Sequence, residues 1–354
     1  MIVRTQVYVP HNKALESVSP NRSESRRGGT LKTVRVAAVQ AESVVLDRES
    51  TVEKASGLIA EAAGKGAKLI VFPELFIPNY VNASVWGGGL AQWSPDAKKA
   101  WLRLWHNAVE IPSPATEVLS GAARDAQATI VMGLNEREPE SRTLYNTLLF
   151  IGPNGSLLGK HRKLMPTNHE RMIHGLGDGS TLKVYETPVG RVGGLICWEN
   201  WMPLARCSLY NQGEQIHVAP TAYDDELTLV NIRNTAFEGG VFVISVCVLA
   251  RKSSYPDDFE LQKDLSVADE YLSSGGSAIV GPEGQLLAGP LWKEEGILYA
   301  DLEMDQLVEQ GQLIDANGHY ARPDVLSLRL DATRKQRMRI ESNDEGAPGT
   351  KADA

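Results

Sequence analysis

The chain has 354 residues, 42% of them hydrophobic, and carries a formal net charge of −8. That composition fits a soluble protein with a large core, in one big domain or two smaller ones. The acidic excess is spread along the sequence and argues against nucleic-acid binding, which normally shows a basic stripe; no apolar run reaches the roughly 18 residues of a membrane helix.

The first 33 residues lack the apolar block and cleavage site of a secretory signal, and 11–30 read as a disordered lead-in. Regular patterning starts with a strand at "VRVAAVQ" (34–40). A helix follows, with Ser50 and Glu53 as an expected capping box and Val52, Ala55, Ile59 and Ala62 as its apolar face. Gly64 and Gly66 end it before the short apolar strand "AKLIVF" (67–72). Strand, helix, strand in 40 residues is a βαβ unit. The stretch 77–93 has turn residues and aromatics without a period and reads as a pocket-lining loop. Its Tyr80 and Trp86 are candidates to position a substrate.

Helices are expected over 95–107 and 115–126, and strands at 128–133 and 146–152, the latter turning at "PNG" into "SLLGKHR" (156–162). The alternation resumes at 182–199, with helices near 202–212 and 227–238 and strands at 215–220 and 241–248. A second hairpin spans 276–290 around "PEG", and a strand follows at 296–302. "FIGPNGSLLGK" and "AIVGPEGQLLAG" echo each other and point to two similar halves. The expected fold is α/β, with two mixed β-sheets face to face and helices outside. A doubly wound nucleotide-binding fold lacks its GxGxxG and phosphate-loop signatures here. One catalytic domain over 34–330 and a polar tail over 331–354, with the basic cluster "RKQRMR" (334–339), complete the layout.

The three cysteines and seven histidines form neither CxxC nor HExxH, so no disulfide framework, metal site or cofactor is called for, and a reducing cytoplasm is the simplest location. Three apolar strands, however, stop at reactive side chains: Glu74 after "AKLIVFP", Lys163 after "SLLGKHR" and Cys197 after "RVGGLI". Open α/β folds place ligands at strand C-terminal ends. Each residue alone has a structural explanation: Cys197 as core filler, Lys163 on the surface, Glu74 and Glu170 on loops, and Glu199 where the chain reaches water. Together they form a chemical set. Glu74 can take the thiol proton and activate water, and Lys163 can stabilise developing negative charge. The Trp198 amide can assist, and Glu170 can hold the lysine or orient the substrate.

These segments resemble the carbon–nitrogen hydrolase, or nitrilase, superfamily and its nitrilase branch. The match lies in "VFPELF", "GKHRKLMPTNHERMIHGLGDGSTL", "GGLICWENWMPLARCSLY" and "NGHYARPDVLSL" (317–328), within a similarity from about 34 to 330. The resemblance implies an α-β-β-α sandwich and a cofactor-free mechanism. Glu74 would be its general base, Lys163 the stabiliser, Cys197 the nucleophile and Glu170 the supporting glutamate. It further implies nitrile and water as substrates, with homodimers built into a larger oligomer or spiral. "APTAYDDE" (219–226) is similar to the plant-type branch, whereas "IPNYVNASVWGGG" and His174 depart from common family wording and mark segments that line the pocket. Amidases of the superfamily share the three catalytic residues, so an amidase is the nearest alternative and a self-assembling scaffold with a relic site the non-enzymatic one.

Overall fold

A computed structural model describes residues 33–335. The expected lead-in through residue 32 and the tail beyond 335, including most of the basic cluster, lie outside the described residues.

The first half runs β1 (Thr33–Gln40), α1 (Arg48–Gly64), β2 (Leu69–Val71), α2 (Ala83–Ala91), α3 (Pro95–Asn107), α4 (Pro114–Ala126), β3 (Thr129–Arg137), β4 (Leu144–Ile151) and β5 (Leu157–Arg162). The second half begins β6 (Tyr185–Thr187), β7 (Gly190–Gly194), α5 (Pro203–Tyr210), β8 (Ile216–Val218), α6 (Glu226–Gly239), β9 (Phe242–Ser245) and β10 (Leu249–Arg251). It ends α7 (Gln262–Val267), β11 (Tyr271–Val280), β12 (Leu286–Trp292), β13 (Gly296–Glu303) and α8 (Asp305–Leu313).

The strands form two mixed sheets. The first is ordered β13-β1-β2-β3-β4-β5; the second is ordered β10-β11-β9-β8-β7-β6, with β12 also paired to β11. In the first, β1, β2 and β3 are parallel, and β4 and β5 each reverse direction. The same pairing recurs in the second: β7, β8 and β9 parallel, then β11 and β12 each antiparallel to its neighbour. The two Pro-x-Gly hairpins occupy matching places in the two sheets, as their sequence echo implied.

Strand side chains alternate between faces. Val34, Val36 and Ala38 of β1 point to a core shared with Val192, Ile216, Val218, Phe242 and Ile244 of the second sheet. Ala37 and Val39 face the opposite way, onto Val52, Ala55, Ile59 and Ala62 of α1 and Leu119 and Ala123 of α4. Val243, Ala278 and Val280 pack outward against Tyr210, Ile232 and Ala236 from α5 and α6. The layers are therefore helix, sheet, sheet, helix. Each fully buried aliphatic side chain contributes about 1.5–3 kcal/mol to this stack.

Two local expectations are corrected. The cap of α1 is Asp47, whose Oδ1 accepts the Ser50 N–H at 2.9 Å and whose Oδ2 accepts the Ser50 hydroxyl at 2.8 Å. A carboxylate at the positive end of the helix is the stronger cap, so Ser50 falls inside the first turn and the Ser50–Glu53 box does not form. The stretch 77–93 is also not all loop. Asn82 caps α2 through Ser84, and its apolar Val85 and Trp86 are buried, which supports a helix despite three consecutive glycines.

Candidate active site

Glu74 and Cys197 stand three residues beyond β2 and β7 respectively, and Lys163 follows β5 directly. Because two reversals restore direction, β5 ends at the same edge of the first sheet as β2. The turn carrying Glu74 lies so close to β3 that a Cβ on Gly133 would come within 2.0 Å of the Pro73 carbonyl oxygen, a place only glycine fits. Likewise a Cβ on Gly177 would meet the Arg162 carbonyl oxygen at 2.1 Å, so glycine lets the following loop press on the lysine segment.

These placements bring the lysine between two carboxylates. Lys163 Nζ donates to Glu74 Oε1 at 2.8 Å and to Glu170 Oε2 at 2.9 Å, and all three side chains are buried. Glu170 belongs to the short turn Asn168–Met172, where its Oε2 also accepts the Thr167 N–H at 3.2 Å. Tyr80 donates its hydroxyl to Glu170 Oε1 at 3.4 Å. Asn146 of β4, which the sequence did not single out, donates Nδ2 to Glu74 Oε1 at 2.8 Å. Glu74 Oε2 accepts no hydrogen bond among the described residues. With Oε1 held from two sides, Oε2 is the oxygen left to take a proton.

The electrostatics separate the two carboxylates. Burial raises Glu74 above the usual carboxylate range, with Lys163 opposing and the negative Glu170 adding to the rise. Burial would raise Glu170 too, but the charge and hydrogen bond of Lys163, with the Thr167 N–H, outweigh it and hold this carboxyl below its ordinary value. Two acids driven apart by their surroundings can take different roles: the arrangement suits Glu170 to remaining a fixed anion and Glu74 to carrying a proton. Burial would lower Lys163, yet Glu74, Cys197 and Glu170 together raise it, so it stays an ammonium. Burial, with Glu74 adding, pushes the Cys197 thiol up to about 12, while Lys163 and a hydrogen bond from Thr221 pull the other way. The thiol thus rests protonated, and any reaction at this sulfur has to remove that proton.

Cys197 has a φ of +55°, a strained left-handed conformation for a residue with a side chain. Hydrogen bonds hold it there. Its N–H donates to the Pro220 carbonyl at 2.8 Å, and its carbonyl accepts Asn200 Nδ2 at 2.9 Å. Asn200 is fixed in turn by His217 Nε2 at 2.8 Å, and His217 Nδ1 pairs with Glu214 at 2.9 Å. The Trp198 ring meets Tyr223 edge-on at 5.5 Å beside Cys197 and remains half exposed. Both rings border a small cavity of about 10 Å³ that Cys197 and Thr221 also line, room for about one water.

His174 hydrogen-bonds Asn135 through Nε2 at 2.8 Å, and burial keeps it neutral with a pKa down to about 4. Trp86 is not brought to this group. It is fully buried against Phe259, with its indole N–H on the Tyr255 hydroxyl at 3.4 Å, and so packs the 77–93 segment. Glu199, read as a candidate for the water-facing end of the chain, is buried as well.

A sequence profile described as "Carbon-nitrogen hydrolase" matches residues 35–312. Nitrilase 2 of Arabidopsis thaliana is 41% identical over 318 residues, covering 89% of this chain and 93% of its own. A bifunctional nitrilase/nitrile hydratase of Lupinus angustifolius is 41% identical over 300 residues, 84% of this chain and 85% of its own. A nitrilase of Bradyrhizobium diazoefficiens reaches the same 41% over 304 residues, 86% of this chain and 94% of its own. Among solved structures, a Saccharomyces cerevisiae member of nitrilase-superfamily branch 10 superposes with a TM-score of 0.65 at 22% identity, covering 82% of this chain and 97% of its own. A Helicobacter pylori carbon–nitrogen hydrolase gives 0.66 at 20%, covering 83% and 97%, and these two likenesses bear on the fold alone.

Proposed function

The chain belongs to the carbon–nitrogen hydrolase family, in its nitrilase branch, and we propose that Glu74, Lys163 and Cys197 carry out its hydrolysis of organic nitriles to carboxylic acids and ammonia. The observation that carries the reading is the buried Glu74–Lys163–Glu170 array, whose field reaches the Cys197 thiol.

Sulfur adds to the nitrile carbon as Glu74 Oε2 takes the thiol proton. The developing negative nitrogen is stabilised by Lys163 and receives that proton, which gives a thioimidate. Water, deprotonated by Glu74, adds to the same carbon. Glu74 returns its proton to nitrogen, the new hydroxyl passes its own proton to the same nitrogen as the carbonyl forms, the carbon–nitrogen bond breaks, ammonia leaves and a thioester remains. A second water, again activated by Glu74, releases the acid and restores the thiol. If the carbon–sulfur bond breaks first instead, the product is the amide. Trp198, Tyr80 and His174 act as supporting residues near the reacting atoms, whereas Trp86 packs against Phe259 and Tyr255 and takes no part.

The test is ammonia release from aliphatic, aryl and arylaceto-nitriles, run in parallel with the matching amides. Turnover of amides with none of any nitrile would replace the reading by an amidase.

The pH dependence follows from the same charges. Turnover needs Glu74 ionised, and burial raises its pKa, so activity falls with acid at a midpoint above 4.5, the ordinary glutamate value. Lys163 and Cys197 are both raised, so no alkaline loss is expected below about pH 9. A kcat profile with its acid midpoint at or below the ordinary glutamate value would remove Glu74 from the base role.

We take residues 34–330 as the catalytic domain, which the match over 35–312 supports. Homodimers within a larger assembly are favoured by Trp201, Met202, Leu204, Leu227, Val230 and Phe237, which expose apolar surface around α5 and α6. Leu204→Glu should lower the mass seen by light scattering; an unchanged mass would move the contact elsewhere. No helix among the described residues is long and apolar enough to cross a membrane, and a cytoplasmic location is the companion proposal.

A further inference from the structure

Glu74, Lys163 and Glu170 all follow strands of the first sheet, whereas Cys197 follows a strand of the second. The sheets meet largely through apolar side chains, and such contact is non-directional. A polar bond can fix the sliding register of one strand end against the other, as Tyr185 of β6 does on β5 by donating to the Lys160 carbonyl at 3.1 Å.

We propose that Glu199 is the positioning residue that sets it, by clasping the residue after Lys163 and the residue before Cys197 with one buried carboxylate. Its Oε1 accepts the Leu164 N–H at 2.6 Å, and its Oε2 accepts the Ile196 N–H at 2.8 Å. A third bond comes from His161 Nε2, 3.0 Å from Oε2 and two residues before Lys163 on β5. His161 and Glu199 are both about 1% exposed, so water does not compete for these bonds. The carboxylate is a two-oxygen acceptor that joins segments 35 residues apart in the chain. Charge-assisted bonds of this kind are about twice as strong as neutral ones.

Glutamine keeps the volume but has one acceptor oxygen. Its NH₂ would face a backbone N–H, so one flank of the clasp has to let go. A displacement near 1 Å between catalytic groups can cost about 10²-fold in rate. The inference rests on Cys197 and Lys163 being the reacting pair.

The experiment compares wild type, Glu199→Gln and His161→Asn. Each is measured for nitrile turnover per folded protein and for the pH profile of iodoacetamide alkylation, followed on the Cys197 peptide by mass spectrometry. For folded Glu199→Gln, kcat should fall about 10²-fold with KM within about threefold. The alkylation profile should also shift, with a slower rate at each pH between about 7 and 9, because the Lys163 charge has withdrawn from the thiolate. A folded variant with kcat within about threefold and an unchanged profile overturns the proposal, since lost packing alone lowers stability and leaves both readings in place. If Glu199→Gln does not fold, His161→Asn decides: one leg is removed, and a smaller shift in the same direction is expected. An unmoved profile and rate there overturn it equally. Alkylation needs no turnover, so the clasp is tested even where the nitrile reading fails.

Discussion

Cys197→Ala is expected to abolish nitrile turnover, by at least about 10⁵-fold, while the protein stays folded. Removing a covalent nucleophile from a working set costs on that order, because the remaining groups have nothing to assist. The structural loss is one sulfur atom. The left-handed backbone at this position is strained equally by alanine, and the bonds that hold it involve only the Cys197 N–H and carbonyl, which the substitution keeps. Circular dichroism and thermal unfolding should therefore resemble wild type to within a few degrees, and ammonia release should sit at background. Measurable turnover in this variant would end the covalent mechanism.

Lys163→Ala should be damaging in two ways at once. Turnover falls at least about 10³-fold, since the charge on the attacked nitrogen loses its main stabiliser. Stability falls as well, by about 3–5 kcal/mol, because Glu74 and Glu170 are left buried without their shared cation. That loss should depend on pH with a definite sign. Without the ammonium, burial and mutual repulsion raise both carboxyls above their unfolded values, so their protonated forms suit the folded state. Such groups stabilise at low pH and lose that contribution as pH rises through the folded pKa. The gap to wild type in urea unfolding should accordingly be smaller at pH 5 than at pH 8. An equal gap at both would mean that the two carboxylates are not what the lysine neutralises.

The candidate residues Glu74, Lys163 and Cys197 stood out because each ends an apolar strand, and an ionisable side chain there interrupts a pattern that hydrophobic periodicity explains. The layered fold was legible for the same reason, and the echoing hairpins marked its duplication. Asn146 and Glu199 were not. Asn146 sits inside "LYNTLLFI", where an asparagine has nothing local to distinguish it, and its partner Glu74 lies 72 residues away. Glu199 follows a tryptophan at an apparent strand end, and its burial becomes visible only when β5 is laid beside it. Trp86 misled in the other direction. An aromatic in an aperiodic, glycine-rich stretch reads as a pocket wall, but Asn82 starts a helix there and the indole turns into its packing. For Ser50 and Glu53, the spacing matched a cap, and a better acceptor one turn earlier took the position.

The two carboxylates that share one ammonium also bear on how a cycle closes. A nitrile enters uncharged and so meets no net electrostatic barrier from the excess negative charge. The acid it becomes ionises at neutral pH beside a group in which two carboxylates share one ammonium, and Glu170 keeps its charge. Like charges at close range in a dry site repel strongly, so the chamber that admits a neutral molecule expels the ion made from it, and product inhibition by the acid should be weak.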